Sequence, residues 1–487
     1  MSVGCWSAQA FFVSLIVGLG CRTQVESEPP SVAIAEPPSP SPTSEPVEQE
    51  PAAEPESQLP AEWIDAAARI AAAADGDTTA WTRLAKMVDA FGHRLSGSKS
   101  LESAIDWSLE VMRGDGLHDV HREPVMVPHW VRGEERARVI GGRELQLLGL
   151  GGTVGTGRRP LRAPVMVVAS LEELEQRAAE AKGKIVVINQ AMPPYSEATR
   201  DPHYGPTVGI RVRGPSAAAR VGAKALLIRS VTAHSLRSPH TGSLHYEDGV
   251  PKIPAAALSV EDAEHLARLA ARGSVSVELS LGAKTLPDAL SGNAIGDYRG
   301  TELPDEIVVI GGHIDSWDVG DGSSDDGSGC LMAIEAVRLL AKAGLRPRRT
   351  IRVVLFTNEE NGLRGGIAYH KVHGAEKHVA AIEADVGSGA PWGFSASASD
   401  EEFAVLESYG SLLRVLGASG LRRGGGGADI SPLTKDGVLS LGLFPDISHY
   451  FDLHHSDADT IDKIDPAHLE GNAAALALMA YMLADRP

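Results

Sequence analysis

The sequence predicts an α/β fold with a mostly parallel central sheet and helices on both faces. The first observation is that buried-strand runs alternate with helical stretches from Asn293 to the C-terminus. This alternation is typical of a largely parallel sheet covered by helices. The second observation is a change of pattern between residues 131 and 286, where shorter apolar runs alternate with polar helices. We therefore predict a smaller α/β domain, 131–286, inserted into a main domain formed by 61–130 and 287–487.

The first sixty residues are predicted to lie outside the folded body. An apolar run at residues 10–20 is too short to span a bilayer and ends in small residues, as an export signal does. Gly20-Cys21 resembles a bacterial lipoprotein cleavage site, but no Lys or Arg precedes the run, so a plain secretory signal is the alternative. Residues 22–60 hold ten prolines and eight glutamates, which predicts a disordered tether. We expect an exported protein, either secreted or anchored to a membrane through a lipidated Cys21.

The charge and the cysteines argue against several classes of protein. The net charge is −19, and residues 22–60 carry seven of these negative charges through eight Glu and one Arg. Basic residues are not clustered, so nucleic acid is not expected as a partner. Cys330 is the only cysteine after residue 21, so the folded body can form neither an intramolecular disulfide nor a cysteine zinc site.

The individual elements follow from apolar periodicity and from capping signals. Helices are predicted at 62–74 and 80–113, the second with a break at Phe91-Gly92. In the inserted domain we predict strands at 165–168, 185–188 and 225–228 and helices at 171–181 and 261–271. In the main domain we predict strands at 307–310, 351–356, 379–382 and 438–443 and a helix at 331–343. Asp465 as N-cap and Pro466 at the first position predict a closing helix.

Three of the main-domain strands lead directly to polar side chains. The first leads to His313, the second to Glu359-Glu360 and the third to Asp385. Ligands of open α/β sheets gather outside the carboxyl ends of the strands, so these side chains are expected at one rim. A ligand set of oxygen and nitrogen atoms suits zinc, although manganese or cobalt would also match by ligand type.

Two aspartates near these strands have both functional and structural interpretations. Asp315 lies two residues after His313 and faces the same way on a strand, so it can accept a hydrogen bond from the second ring nitrogen of the histidine. Asp325 lies in a Gly/Ser/Asp loop that opens a helix. It either bridges two metals through its two oxygens or acts as a solvated N-cap.

The Glu and His pairs leave further alternatives. Both Glu359 and Glu360 can enter one site only if they lie in a turn beyond the strand, where one would bind metal and the other would act as a general base. Otherwise the pair is an exposed loop dipeptide. His454 and His455 are both candidate ligands, and either can equally be a structural histidine.

In the order and spacing of these residues the chain resembles the dinuclear zinc exopeptidases of the aminopeptidase type. The resemblance runs from about Leu84 to the C-terminus and includes segments outside the candidate ligands. Examples are Arg94-Leu-Ser-Gly-Ser-Lys99, Val127-Pro-His-Trp130 and Gly312-His-Ile-Asp-Ser-Trp-Asp-Val-Gly320. The resemblance implies a zinc exopeptidase fold, a protease-associated domain at 131–286, two Zn²⁺ per chain and a homodimer.

The resemblance also implies a role for each residue of the site. One zinc would take His313, Asp325 and Asp385, and the other would take Asp325, Glu360 and His455. Glu359 would be the catalytic general base, and Asp315 would support His313. The family has a cis peptide beside its bridging aspartate, here Asp325-Asp326. His455 is preferred to His454 because the family's ligand lies four residues before an Asp-Thr pair, here Asp459-Thr460.

The predicted function is therefore that of an exported dizinc metallo-exopeptidase that hydrolyses dipeptides or short peptides with free termini. One alternative is a glutaminyl-cyclase-like acyltransferase on the same fold, which would need a single zinc and would not need both His313 and Asp385. Another alternative is a receptor or binding module that has lost the metals. Gly424–Gly427 is predicted to be either a mobile loop near the substrate or a plain flexible loop.

Overall fold

The computed structural model describes residues 59–487. The predictions for the export signal, for most of the Pro/Glu-rich tether and for Cys21 lie outside the described residues. Within the described part of the chain, no helix is long and apolar enough to cross a membrane. Cys330 is buried there as a free thiol.

The strands and helices follow one another along the chain in a mixed α/β order, as predicted. In chain order the described strands are β1 (His118–Val131), β2 (Glu135–Val139), β3 (Glu144–Leu145), β4 (Leu147–Gly149), β5 (Leu161–Val168), β6 (Ile185–Ile188), β7 (Ala225–Arg229), β8 (Ala255–Leu258), β9 (Ser276–Leu281), β10 (Lys284–Tyr298), β11 (Leu303–His313), β12 (Arg349–Phe356), β13 (Lys377–Glu383), β14 (Gly393–Ser397), β15 (Gly420–Arg423) and β16 (Leu439–Phe444).

The helices are of two kinds, long ones that cover the sheets and short ones within the loops. They are α1 (Ala61–Ala74), α2 (Thr79–Phe91), α3 (Lys99–Gly114), α4 (Leu171–Gln176), α5 (Ala178–Ala181), α6 (Tyr204–Thr207), α7 (Gly209–Val212), α8 (Gly214–Arg220), α9 (Val260–Ala270), α10 (Ser328–Lys342), α11 (Arg364–His373), α12 (Asp400–Leu413), α13 (Ser431–Lys435), α14 (Tyr450–Leu453) and α15 (Pro466–Asp485). A kinked turn at Ser323–Gly327, in which Asp325 and Asp326 have non-helical backbone angles, leads into α10.

The main sheet has eight strands in the order β1-β10-β12-β11-β13-β16-β14-β15. Its central strands β12, β11, β13 and β16 run parallel to one another. The β1–β10, β10–β12 and β14–β16 pairs are antiparallel. The parallel centre agrees with the predicted sheet, whereas the antiparallel flanks were not predicted from the strand–helix alternation.

Both faces of the main sheet are covered by helices. Along β11, Val308 and Ile310 pack with α1, α2, α3, α10 and α15 in the largest apolar core. Ile307 and Val309 point to the opposite face, where they pack with Tyr369 of α11 and other apolar residues. This alternation follows from the two-residue period of a strand, and it explains why the run reads as continuously apolar.

The second sheet is formed entirely from residues 135–281, in the order β3-β2-β9-β5-β6-β7-β8-β4. The chain leaves the main sheet at the end of β1 and returns to it with β10, and these two strands pair with each other. Each face of the second sheet has its own apolar core. The predicted range 131–286 contains this sheet, and its identity as a protease-associated domain stays a prediction.

The structure shows where three of the predicted helices begin, end or divide. The long predicted helix at 80–113 is divided into α2 and α3, and Gly92 follows α2 with a φ of 60°. The side chain of Asp465 accepts the N–H groups of Ala467 and His468 at the start of α15. The predicted helix at 171–181 is divided at Arg177, so this stretch is α4 followed by α5 rather than one helix.

Candidate metal centre

The carboxyl ends of three parallel strands bring the predicted ligands to one rim of the main sheet. His313 is the last residue of β11 and lies opposite Phe356, the last residue of β12. Glu359 and Glu360 follow β12 in a turn, and Asp385 lies two residues beyond the end of β13. Parallel strands in register therefore place side chains that are far apart in the sequence next to one another.

The distances divide the predicted ligands into two sets that share Asp325. His313 Nε2 lies 3.2 Å from Asp325 Oδ1 and 3.2 Å from Asp385 Oδ1. His455 Nε2 lies 3.3 Å from Asp325 Oδ2 and 3.1 Å from Glu360 Oε2. The two oxygens of Asp325 thus face two different imidazoles. We call these five residues, His313, Asp325, Glu360, Asp385 and His455, the metal-site cluster.

The loop before α10 distinguishes Asp325 from its neighbour Asp326. The peptide bond between them is cis. Asp326 accepts the N–H of His313 at 2.9 Å and the N–H of Gly329 at 3.0 Å, so both of its oxygens are engaged by the main chain. Asp325 Oδ2 is buried without a hydrogen-bond partner. His313, Asp326 and Asp385 are also close enough to hold an ion, but Asp325 is the aspartate with an oxygen still free.

The role of Asp315 differs from the predicted one. His313 Nδ1 bonds to the main-chain carbonyl of Asp315 at 2.9 Å, whereas the carboxylate oxygen Oδ1 is 3.9 Å from that nitrogen. The carboxylate instead accepts the N–H groups of Glu359 at 3.0 Å and Glu360 at 3.4 Å. The predicted hydrogen bond to the carboxylate is therefore wrong, because the main-chain carbonyl of Asp315 faces the ring while its carboxylate faces the N–H groups of the two glutamates. Asp315 holds the two glutamates in place.

The turn after β12 brings both glutamates to the same side. Asn358 has a φ of 68°, a left-handed conformation that Asn tolerates better than most residues. Glu360 is buried, and its Oε1 accepts the N–H of Trp317 at 3.2 Å while Oε2 faces His455. Glu359 is half-buried and lines the cavity in front of the metal-site cluster. Its carboxylate is therefore available to a molecule in that cavity.

The two adjacent histidines both reach Asp325. His454 Nε2 is 3.7 Å from Asp325 Oδ2, slightly farther than His455, and the two rings are stacked with centroids 3.5 Å apart. His455 also contacts Glu360, whereas His454 packs against Tyr204, Tyr450 and Phe451. These contacts favour His455, which stays the predicted ligand.

Two residues that support the cluster were not identified as functional from the sequence. Asp459 is buried, and its two oxygens accept the N–H groups of Ser324 at 2.6 Å and Asp325 at 3.0 Å, which fixes the bridging loop. The sequence contains a signal for it, because Asp459 belongs to the Asp-Thr pair used to select His455. Arg94 is fully buried and donates to the carbonyls of Ile314, Asp321 and Gly322.

The second-sheet region also contributes to the site. Arg211 Nη2 donates to Tyr204 Oη at 2.7 Å, and its Nη1 lies 3.3 Å from both the Thr241 carbonyl and His455 Nδ1. Together with residues around Ser243, these side chains form one wall of a cavity of about 610 Å³. The opposite wall carries Asp325, Glu359, Glu360 and Asp385. No local pattern in the sequence indicates Arg211, because its role depends on how the two regions pack.

The site contains more carboxyl groups than imidazoles, and this affects the pKa values of the carboxyl groups. Burial and, after it, the charges of Asp385 and Asp315 outweigh the effect of His313 and raise the pKa of Glu359 to about 8. Burial also raises the pKa of Glu360 and of Asp385. Burial acts in the same direction on Asp325, but the imidazoles of His313 and His455 outweigh it and hold its pKa well below the usual value.

These observations match the requirements of a divalent metal pair. A nearby dication stabilises the charged form of a buried carboxylate. The donors are carboxylate oxygens and imidazole nitrogens, which suit zinc, and the free oxygen of Asp325 faces the second imidazole. The residues present therefore fit two zinc ions in the predicted arrangement.

Comparison with known proteins identifies similar chains. Residues 293–480 match peptidase family M28. The chain is 43% identical over 410 residues to carboxypeptidase Q of Bos taurus and to carboxypeptidase Q of Homo sapiens, with 83% of this chain and 85% of each relative covered. These matches extend well beyond the family segment and include the second-sheet region.

Solved structures agree in fold. A peptidase M28 precursor from Shewanella amazonensis is 35% identical, with a TM-score of 0.83 and coverage of 87% of this chain and 97% of that one. A zinc aminopeptidase from Bacillus subtilis is 20% identical, with a TM-score of 0.62 and coverage of 84% and 95%. At that identity the second comparison supports the fold alone.

Proposed function

This chain belongs to peptidase family M28, among the carboxypeptidase Q homologues, and from that premise we propose that it is a dinuclear zinc exopeptidase acting on dipeptides or short peptides. The observation that carries the proposal is the position of Asp325. One oxygen lies 3.2 Å from His313 Nε2, which also contacts Asp385. The other lies 3.3 Å from His455 Nε2, which also contacts Glu360. A single carboxylate shared by two ligand sets is the arrangement that a pair of metal ions requires.

Glu359 is the residue that we propose moves the proton. When bound, a zinc pair acts as a Lewis acid toward a carbonyl oxygen and makes water acidic enough to lose a proton near neutral pH. The Glu359 carboxylate lines the cavity and takes the proton from the attacking water. The same carboxyl group then donates that proton to the leaving amine. Asp315 keeps Glu359 in position through the main-chain bond at 3.0 Å.

The shape of the cavity supports a small substrate. It lies between the second-sheet region and the rim of the main sheet, and side chains from both regions line it. A site with two such walls accommodates the end of a short peptide more readily than the middle of a long chain. We also propose that residues 131–286 are a protease-associated domain, that the protein is a homodimer, and that it is exported, with lipidation of Cys21 as one route to the cell envelope.

The test is hydrolysis of a free dipeptide by the zinc-loaded full-length protein, beside N-acetylated and C-amidated forms of the same peptide. We expect cleavage of the free dipeptide that a chelator abolishes and that zinc restores. Loss of cleavage on N-acetylation means that the enzyme reads the amino end. Loss on C-amidation alone means a true carboxypeptidase.

The alternatives give different results in the same assay. A chain that releases cyclised product from an N-terminal glutaminyl peptide and binds a single zinc is an acyltransferase. A chain that binds two metals but cleaves none of the peptides contradicts the proposed substrate class. A chain that binds peptides but retains no metal is a binding module.

A further inference from the structure

A second cavity of about 320 Å³ opens beside the metal-site cluster. It shares Asp385, Val386 and Phe451 with the larger cavity in front of the cluster. A molecule bound at the cluster can therefore extend into this neighbouring space. We call it the arginine cavity, because Arg200 and Arg422 lie in its wall.

Much of the remaining wall of the arginine cavity is apolar or lacks side chains, although Asp201, Glu383 and Asp385 also lie in it. Leu443, Phe444 and Ile447 form one part of it, and Gly424–Gly427 form another. At Gly427, with a φ of 151°, a Cβ would lie 2.3 Å from the carboxyl carbon of Glu383. The main chain approaches Glu383 there more closely than any side chain would allow, so the glycine run shapes the cavity. This segment was predicted only as a loop near the substrate or a plain flexible loop.

Arg422 and Arg200 are held in place by aromatic rings rather than by carboxylates. The Arg422 guanidinium lies 4.8 Å from the centre of the Phe444 ring, and the Arg200 guanidinium lies 4.7 Å from that of Trp392. Arg422 Nη1 also donates to the main-chain carbonyl of Arg200 at 3.2 Å. Among residues 59–487, no carboxylate forms an ion pair with either guanidinium. Most donors of Arg422 are therefore available to a ligand, whereas Arg200 also interacts with the hydroxyl of Tyr195.

The next residue in the chain, Arg423, provides an internal comparison. Its guanidinium lies 4.3 Å from the centre of the Phe403 ring and is paired with Asp400. Arg422 and Arg423 are consecutive residues of β15, so their side chains point to opposite faces. They have the same chemistry and a similar ring contact, but only Arg423 has an acidic partner, and only Arg422 lines the cavity.

The carboxylates in the wall of the arginine cavity are already engaged. Glu383 accepts the N–H of Ile430 at 3.0 Å and that of Asp429 at 3.4 Å. Asp201 accepts the N–H of His203 at 2.8 Å. Asp385 belongs to the metal-site cluster. Among residues 59–487, none of these carboxylates forms an ion pair with Arg200 or Arg422, and the main-chain bonds to Glu383 and Asp201 hold those two side chains where they are.

We propose that the arginine cavity binds a carboxylate group of the substrate through Arg200 and Arg422. The planar fork of a guanidinium matches a carboxylate, and such charge-assisted bonds are stronger than neutral ones. The carboxylate is either the C-terminal group of a short peptide or an acidic side chain. This inference deepens the proposed function and rests on it for the identity of the ligand as a peptide.

The experiment separates binding from turnover. Binding of alanyl-glutamate, alanyl-glutamine, alanyl-alanine and alanyl-alanine amide is measured by calorimetry on zinc-loaded Glu359→Gln protein, which keeps the ligands but lacks the proton acceptor. The same binding measurements are repeated on three double variants. Each combines Glu359→Gln with Arg422→Gln, with Arg200→Gln or with the control Arg423→Gln. Hydrolysis of the same four peptides is measured on the single arginine variants with Glu359 intact.

We expect Arg422→Gln to raise Kd and KM by about 10- to 100-fold with little change in kcat, since one charge-assisted pair is lost. We expect a smaller rise for Arg200→Gln and a change below about 2-fold for Arg423→Gln. A loss confined to alanyl-glutamate assigns the cavity to an acidic side chain. A loss on every free peptide but not on the amide assigns it to the C-terminus.

The proposal is overturned if Arg422→Gln and Arg200→Gln bind all four peptides as Arg423→Gln does. It stands if binding depends on these arginines and on a carboxylate while wild-type protein hydrolyses none of the peptides. In that case the proposed peptidase function fails and the carboxylate site remains. Arg422→Lys should recover part of the affinity, because it restores the charge without the fork.

Discussion

The metal-site cluster and a second acidic cluster both bring ionisable side chains close enough to hold a cation. The second consists of Asp77 between α1 and α2, Glu335 in α10 and Glu470 in α15, and we call it the helix-junction cluster. Glu335 and Glu470 are almost completely buried. By ligand geometry alone, both places are candidate metal sites.

The two clusters differ in how their charges are balanced. In the helix-junction cluster, Arg338 pairs with Asp77 and with Glu335, and Lys342 Nζ lies 2.6 Å from Asp77. Burial acts to raise the pKa of Asp77, but the hydrogen bonds from Lys342, Thr79 and Arg338 outweigh it and lower the value. The metal-site cluster has two imidazoles and no Lys or Arg bonded to its carboxylates. The comparison indicates that Arg and Lys side chains balance the carboxylates of the helix-junction cluster. The carboxylates of the metal-site cluster have no such side chains among the described residues and can instead bind metal cations.

The largest effect is expected from Glu359→Gln. The amide retains the shape of the side chain but cannot accept a proton, so kcat should fall by about 100-fold or more while zinc content stays unchanged. The measurement is dipeptide hydrolysis beside metal analysis of the same sample. Near-normal activity would remove Glu359 from the proposed role.

The next largest effect is expected from Arg338→Met in the helix-junction cluster. This change leaves the buried Glu335 without its main partner and removes one of the two cations at the half-buried Asp77, so the free energy of unfolding should fall by about 3 kcal/mol. The measurement is urea unfolding of zinc-loaded protein. As a control, Arg268→Met breaks an exposed pair with Glu264 (3.6 Å), and it should cost less than about 1 kcal/mol. Equal effects of the two substitutions would contradict the internal role of Arg338.

A smaller, pH-dependent effect is expected from Glu470→Gln. Burial, together with Glu335, raises the pKa of Glu470 to about 8 from an ordinary value of 4.5. The folded protein therefore favours the protonated form of Glu470. The contribution of this carboxyl to the free energy of unfolding is fully present below about pH 4.5 and is lost as pH rises through about 8. Gln imitates the protonated carboxyl, so the variant should gain about 1–2 kcal/mol over wild type between pH 5 and pH 9.

The measurement is the difference in unfolding free energy between wild type and Glu470→Gln at pH 5, 7 and 9. Groups of the metal-site cluster titrate in both proteins, so their contribution cancels when one unfolding free energy is subtracted from the other. Glu110→Gln, at an exposed position of α3, is the matched control and should show no pH-dependent difference. A constant difference across this range would mean that Glu470 does not titrate in it.

Much of the fold could be predicted because its signals are local. The strand ending at His313, the turn at Glu359-Glu360 and the capped helix after Asp465 all follow from apolar period and from residue type. The antiparallel flanks of the main sheet could not be predicted, since strand–helix alternation indicates parallel neighbours and says little about edge strands. The division of 171–181 at Arg177 depends on tertiary packing.

The site divides in the same way. The polar residues at strand ends indicated His313, the Glu359-Glu360 pair and Asp385, whereas the choice of Asp325, Glu360 and His455 came from the family resemblance. The structure brings all five residues together. The sequence assigned the carboxylate of Asp315 to the ring of His313, but the main-chain carbonyl of the same residue faces the ring, and this choice depends on the exact path of the chain. Arg211 and Arg422 line their cavities together with residues that are distant in sequence, so no spacing could indicate them.

The most direct test of the account is the zinc content per chain, measured by mass spectrometry of metals after zinc loading and removal of free ions. We predict two zinc ions for wild type and for Glu470→Gln, and fewer than one for Asp325→Ala, which removes the carboxylate shared by the two ligand sets. Two zinc ions retained by Asp325→Ala, or loss of zinc on Glu470→Gln, would contradict the account.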